Sequence, residues 1–420
     1  MQLKAIPAPA RPSRHGRRAT ARAPRAALIA LVTATGLYSA PSHTGVLPED
    51  EVDYSDSQYV GGGQVIDGKT WLIRKDVGDK VSIDYSHLTD VVSGASIDVM
   101  LYASPYVEQR TQDSLSAEYL AGKTTYTVGF THSYEPDYRS NTANFSISED
   151  LFGDLTTVSM TFRRTWNDVY KMECAMHSAD DQCEDKIHDP TFGEKTMDER
   201  SYGVGLTQIL TRNSILAVND EIITDQGWLS NPYRDLIYLD PTVGRGFSTE
   251  PEIDPSTRTS NAIGGDYKYY LPWRAALDLQ YRYYVDTWGI HANTAQLGYT
   301  QPWRNWTFDG TLRYYNQSHA TFYSNAFEYA DQQNFMSRNR ELSTYYSYSI
   351  GAGASYEFKI PYLHFIQKST ANIRYDRLFI NYEDFRNALL VDTSEGITIE
   401  NAPLYSVDIR IYQFFISLYF

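Results

Sequence analysis

The C-terminal stretch Tyr412-Gln413-Phe414-Phe415-Ile416-Ser417-Leu418-Tyr419-Phe420 limits the possible folds of this chain more than any other segment. Tyr412, Phe414, Ile416, Leu418 and Phe420 fall on one parity and are large and apolar, while Gln413 and Ser417 fall on the other. An alternation of period 2 predicts a β-strand with one apolar face. In a water-soluble domain such a strand must be buried, for example at the end of a β-sandwich, because a free apolar edge frays and aggregates. A membrane barrel removes both problems. Lipid solvates the apolar face and the first strand pairs with the edge.

The same alternation recurs upstream. Ala275, Leu277, Leu279, Tyr281, Tyr283 and Val285 alternate with Asp278, Gln280, Arg282 and Asp286; Trp306, Phe308, Leu312 and Tyr314 alternate with Thr307, Asp309, Thr311 and Arg313. Tyr346, Tyr348, Ile350, Tyr356 and Phe358 alternate with Ser347, Ser349, Ser355 and Glu357. Breaks of turn chemistry separate the segments on one side: Gly78-Asp79, Gly122-Lys123, Gly153-Asp154, Arg212-Asn213, Pro272-Trp273-Arg274 and Pro302-Trp303-Arg304. Long polar stretches at 167–199, 227–257, 320–342 and 383–402 separate them on the other, the asymmetry of a bacterial barrel.

Sixteen segments are read in this way, at 51–60, 65–76, 80–92, 109–121, 123–134, 138–149, 154–166, 200–211, 213–225, 258–271, 274–287, 291–301, 305–318, 343–358, 369–382 and 405–420. The expectation is an all-β, antiparallel transmembrane barrel of sixteen strands, with fourteen and eighteen as alternatives because the first two segments are weak. Val407 and Ile409 have the opposite parity to Phe414 and Phe420. That predicts a bulge near Arg410, or a position above the membrane.

Residues 1–40 carry Lys4, Arg11, Arg14, Arg17, Arg18, Arg22 and Arg25 with no acid, followed by the apolar run from Ala26 to Tyr38. This reads as a secretory signal peptide cut near 34 or 40, with 41–50 periplasmic and 51–420 a single outer-membrane barrel domain. The chain has 420 residues and a formal net charge of −15, and losing that basic leader makes it more acidic. Such a surface argues against nucleic acid as a partner and suits cations, or divalent ions bridging to lipopolysaccharide. The 35 Tyr, 17 Phe and 7 Trp suit strands and the aromatic girdles of a barrel.

The polar parity supplies candidate lumen residues of mixed sign: Asp84, Glu118, Arg163, Asp278, Arg282, Arg313, Glu357, Arg374 and Asp376. They form either a selectivity lining or a lumen stitched by ion pairs, and opposite signs side by side favour the second. The only compact set of ligand-type residues is Cys174, His177, Cys183 and His188. Two cysteines nine apart in an exported loop predict a disulfide, with a metal site as the sharper alternative. No cofactor is predicted. Motifs of esterases, zinc peptidases and phosphate-binding loops are absent, so an enzyme is the minority reading, an outer-membrane lipase using His132 or His319.

The blocks Gly78-Asp79-Lys80-Val81-Ser82, Asn231-Pro232-Tyr233-Arg234, Arg258-Thr259-Ser260-Asn261-Ala262, Tyr269-Tyr270-Leu271-Pro272-Trp273 and Asp286-Thr287-Trp288-Gly289-Ile290 resemble the bacterial family known as domain of unknown function 3570. The resemblance implies an exported outer-membrane protein of Gram-negative bacteria without an assigned activity, encoded near exported redox proteins. A closing strand ending in Phe420 is similar to the signal that the barrel assembly machinery reads in porins. The expected partners are therefore outer-membrane lipid and lipopolysaccharide, that machinery, and an exported redox protein. The leading functional expectation is a pore or transport conduit for small solutes; the rival is a closed scaffold or sheath barrel for the redox partner.

Overall fold

The computed structural model describes residues 46–94, 106–177 and 183–420. The predicted leader lies outside the described residues. The first strands are β1 (Glu51–Gly61), β2 (Gln64–Val77), β3 (Val81–Gly94), β4 (Tyr106–Ala121), β5 (Thr124–Tyr134), β6 (Tyr138–Leu151) and β7 (Thr156–Val169). There follow β8 (Met172–His177), β9 (Cys183–His188), β10 (Lys195–Thr211), β11 (Ser214–Gly227), β12 (Asp235–Leu239), β13 (Phe247–Pro251) and β14 (Thr257–Tyr270). The chain ends with β15 (Ala276–Asp286), β16 (His291–Trp303), β17 (Trp306–Gln317), β18 (Tyr345–Phe358), β19 (Lys368–Arg386) and β20 (Leu404–Tyr419).

Sixteen of these close an antiparallel barrel in the order β1–β7, β10, β11, β14–β20, while β8–β9 and β12–β13 are separate hairpins in the loops. Closure is made by β20 against β1, with Leu418 opposite Val52, Ile416 opposite Tyr54 and Phe414 opposite Asp56. Alternation decides which face each side chain takes. In β5 and β6, Tyr126, Val128 and Phe130 stand opposite Ile147, Phe145 and Ala143 on the outer face, while Thr127, Gly129 and Thr131 stand opposite Ser146, Asn144 and Thr142 on the inner. The outer aromatic and aliphatic side chains are exposed, as a lipid-facing band requires.

Most connections at one end are short, while the opposite end holds the long ones together with the short β1–β2 and β5–β6 turns. At the first end, tight turns use left-handed backbone at Gly78, Gly122 and Gly153, and at Arg274 and Arg304 in the two Pro-Trp-Arg turns. Trp273 and Trp303 project from this end with more than half of their surface exposed, and Trp273 Nε1 donates to the Tyr299 hydroxyl at 3.2 Å. Indoles at such a level anchor a barrel at the membrane interface.

At the opposite end the long connections fold on one another into a lid. Ile237, Phe247, Ala388 and Ile399 pack together, as do Leu236, Phe327 and Met336, drawing the segments 228–256, 318–344 and 387–403 into shared apolar clusters. Trp288 meets Phe322 edge to face at 5.1 Å beside Ile290, Ala320 and Leu342. The long stretches read as loops thus contain buried cores of their own, and β10 and β19 extend into them from Lys195 and to Arg386.

The closing strand needs one correction. There is no bulge near Arg410: the β19–β20 register runs unbroken from Lys368 opposite Tyr419 to Asn381 opposite Ser406, and the irregularity falls between Asn381 and Arg386. Val407 and Ile409 have inner-face parity because the barrel interior is apolar at this level. They pack with Tyr59, Tyr345, Leu378, Ile380, Tyr382 and Phe385.

Candidate functional site

The barrel interior gathers chemistry from every strand. All nine residues predicted from parity lie on the face opposite the apolar band. Asp84 pairs with Ser116, Glu118 with Thr127, Arg163 with Ser201, Arg282 with Gly264, Arg313 with Gln296 and Arg374 with Gly353, each in register with inner-face neighbours. Asp278 and Glu357 lie toward the short-turn end, and Asp376 neighbours Arg374.

Several are drawn into ion pairs. Arg374 reaches Asp309 at 2.5 Å, Asp376 at 2.7 Å and the Thr311 hydroxyl at 2.8 Å. Arg163 lies 3.4 Å from Glu199 and 3.8 Å from Glu221, and Arg282 lies 3.9 Å from Glu221. Lys268 sits between Asp266 at 3.4 Å and Asp278 at 3.8 Å. Arg313 lays its guanidinium 5.8 Å from the Tyr315 ring, and Ser116 donates to Asp84 at 2.5 Å.

The balance is weakest toward the short-turn end, where Asp266 and Asp278 share Lys268. On β1–β4, near the short-turn end, Asp53 Oδ1, Asp76 Oδ1, Ser82 Oγ and Glu118 Oε2 are buried without a hydrogen-bond partner. Asp76, Ser82 and Glu118 lie directly opposite one another on three successive strands. The nearby Arg74 is committed to Glu51 at 2.5 Å. Desolvated carboxylate oxygens are costly, and a mobile cation relieves that cost. Sequence parity found Glu118 here but missed Asp53, Asp76 and Ser82, whose convergence depends on strand register.

At the other end, the apolar patch on β17–β20, β1 and β2 carries a loop against the inner wall. The 3-10 turn Arg340–Leu342 places Arg340 and Glu341 beside Tyr59, Tyr345, Ile380 and Ile409, with a void of only about 30 Å³ between them. Gln317 Nε2 fixes the returning chain by donating to the carbonyls of Glu341 and Ser343, both at 2.8 Å. The lid therefore reaches inside the barrel rather than resting above it.

Its latch includes buried charge. Arg338, 4% exposed, donates to the carbonyls of Asn325 and Arg386 and lies 4.4 Å from the Phe385 ring centroid. Asp254 is held nearby; burial pushes its carboxyl up to about 6, against the opposing pull of Arg234 and of a Ser337 hydrogen bond. A raised folded value means that the lid with its loops packed together holds the proton more tightly than one whose loops have separated. The stabilisation is full below the ordinary value and is lost as pH rises through about 6. Lowering pH from 7.5 to 5 is thus expected to favour the packed lid by about tenfold, read as reduced protease accessibility of 318–344, and Asp254→Asn is expected to flatten that dependence.

The histidines and cysteines need separate statements. His132 Nδ1 contacts Asn141 Oδ1 at 2.9 Å on the outer face. His319 Nδ1 meets both the Thr344 hydroxyl at 3.0 Å and Asp384 at 3.3 Å, so a single ring nitrogen serves both groups and no proton relay is formed. Backbone pairing sets His177 opposite Cys183 and Cys174 opposite Lys186. The side chains of Cys174, His177 and Cys183 lie outside the described part, while His188 stacks on Tyr170 at 4.5 Å. Among the described residues no group of three or more His, Cys, Asp or Glu is arranged to hold a metal ion.

A closed sixteen-stranded antiparallel barrel with an apolar outer band and a polar interior defines a transmembrane β-barrel protein. The chain belongs to the family of proteins of unknown function DUF3570, whose model matches residues 97–377. Among solved structures, it is similar to a bacterial polysaccharide outer membrane secretin at 7% identity and a TM-score of 0.44, covering 89% of this chain and 98% of that one. It is also similar to the outer membrane protein opdK from Pseudomonas aeruginosa, at 8% identity and a TM-score of 0.39 over 89% and 99% of the two chains. The siderophore receptor PirA from the same organism gives 9% identity and a TM-score of 0.38 over 89% and 81%. No curated protein matches the chain.

Proposed function

We propose that this protein is an outer-membrane conduit for small cationic solutes, open toward the periplasm through its short-turn end and governed by the lid at its outer end. The orphan oxygens of the Asp76, Ser82 and Glu118 row, together with Asp53 Oδ1 further along the same wall, carry the reading. They supply a field of one sign at this mouth, where Asp266 and Asp278 likewise outnumber Lys268 on β14 and β15. The lid supports gating, because its Arg340–Leu342 turn occupies space along the wall that a solute would otherwise use.

Single-channel recording in planar bilayers under a salt gradient tests this. Conductance steps with a reversal potential favouring cations are expected, and Asp76→Asn combined with Glu118→Gln is expected to reduce the cation-to-anion permeability ratio by about threefold or more. Folded protein that never yields steps would rule out a conduit. The tight packing of lid on wall favours, as a second reading, a barrel closed at rest that serves as a sheath for an exported redox protein. Co-purification of a flavoprotein or cytochrome under mild detergent would then be expected in place of conductance.

A further inference from the structure

On the outer surface of β3 and β4, three side chains form a chain of contacts that a conduit does not use. His87 Nδ1 lies 2.8 Å from Asp113 Oδ1, and its other nitrogen, Nε2, lies 3.2 Å from the Thr89 hydroxyl. The Tyr85 hydroxyl donates to the same Asp113 oxygen at 2.7 Å, holding the carboxylate in place. Among the described residues, His87 alone bridges a hydroxyl and a carboxylate through its two different ring nitrogens. A nucleophile, a base and an orienting acid are recognised by this geometry rather than by sequence order.

The location gives it a substrate. Tyr85, Leu115 and Phe130 face outward and form one row of the apolar band, and His87, Asp113 and His132 form the next row toward the long-loop end. Ester groups of membrane lipids lie at this boundary between acyl chains and headgroups. Thr89 stands one row further, directly opposite Lys69 on β2, whose side chain is exposed. We propose that Thr89, His87 and Asp113 form an acyl-ester hydrolase site for a lipid presented from the membrane.

In this reaction, Thr89 Oγ1 attacks the ester carbonyl carbon while His87 Nε2 accepts the hydroxyl proton. The Lys69 ammonium faces the negative charge on the carbonyl oxygen. The carbon–oxygen bond to the alcohol breaks, and the leaving alkoxide takes the proton from His87. Water then attacks the acyl-threonine, His87 again relaying the proton, and releases a carboxylic acid and free Thr89. Asp113 orients the imidazole and offsets its positive charge.

The test uses the full-length barrel folded in mixed micelles, with folding verified by heat-modifiable migration, and a phosphatidylcholine bearing a fluorogenic acyl ester as probe. Turnover is expected to fall by about 100-fold in both Thr89→Ala and His87→Ala, and by roughly tenfold or more in Asp113→Asn. Thr89→Ser is expected to keep it, and Thr111→Ala to leave it unchanged. A fluorophosphonate should label the peptide that contains Thr89. Folded wild type with no turnover above the micelle background, or equal turnover by Thr89→Ala, would overturn the proposal.

Discussion

Replacing Phe385 with alanine is expected to undock the lid and raise the time-averaged conductance severalfold. Phe385 is 1% exposed and joins two bodies: it contacts Tyr382 at 5.5 Å and Tyr405 at 5.9 Å on the inner wall, and the Arg338 guanidinium of the lid covers its ring. Truncating a fully buried phenylalanine costs about 3–5 kcal/mol. The sixteen-stranded hydrogen-bonded ladder carries none of this contact, so the loss falls on lid docking rather than on the barrel. Bilayer recording of Phe385→Ala, with protease accessibility of 318–344 as an independent readout of undocking, checks it. Increased protease sensitivity without any change in conductance would show that the lid does not govern passage.

Arg258→Met is expected to lower barrel stability by about 3–5 kcal/mol, measured by urea unfolding in lipid vesicles. The Asp286 side chain is 0% exposed. It accepts from Arg258 Nη2 at 2.5 Å and Nε at 2.9 Å, from the Tyr284 hydroxyl at 2.8 Å, and from the backbone N–H groups of Trp288 and Ile290, each at 2.9 Å. Removing the guanidinium leaves a buried carboxylate without its counter-charge at the turn that seats Trp288 against the lid. Adding Asp286→Asn should recover part of the loss, because the amide oxygen still accepts from the backbone N–H groups of Trp288 and Ile290 without the charge. If the double variant is no more stable than Arg258→Met, packing of the guanidinium over Trp288, at 4.5 Å, carries the effect instead.

Parity carried well from sequence to fold wherever a strand meets lipid on one side and water on the other. Leu277, Leu279 and Tyr281 could only face outward once Asp278 and Gln280 faced in, and the same logic placed Arg313 and Arg374. It carried poorly at the two ends. Val407 and Ile409 broke the pattern because their inner-face neighbours are not water but the Arg340–Leu342 turn and the apolar wall, contacts from segments far away in the chain. The Asp76, Ser82 and Glu118 row and the His87 and Asp113 contact likewise join separate strands. His87 and Thr89 share a face by their spacing, but nothing in the sequence states that Asp113 stands opposite His87 rather than two residues away.

The sequence by itself determined an antiparallel barrel, with sixteen strands preferred over fourteen or eighteen, and the face of the alternating strand residues, including the apolar side of Tyr412–Phe420 and the polar side at Gln413 and Ser417. These follow from local alternation against two solvents, which needs no knowledge of neighbours. Only the tertiary structure decided the register across strands, the folding of three long loops into a lid, and the pairing of inner charges. Those depend on contacts between segments distant in sequence, where packing and desolvation, rather than period, set the outcome. The strand that closes the barrel shows both: its alternation fixed its two faces, and its partners, β1, β19 and the lid, fixed what each face touches.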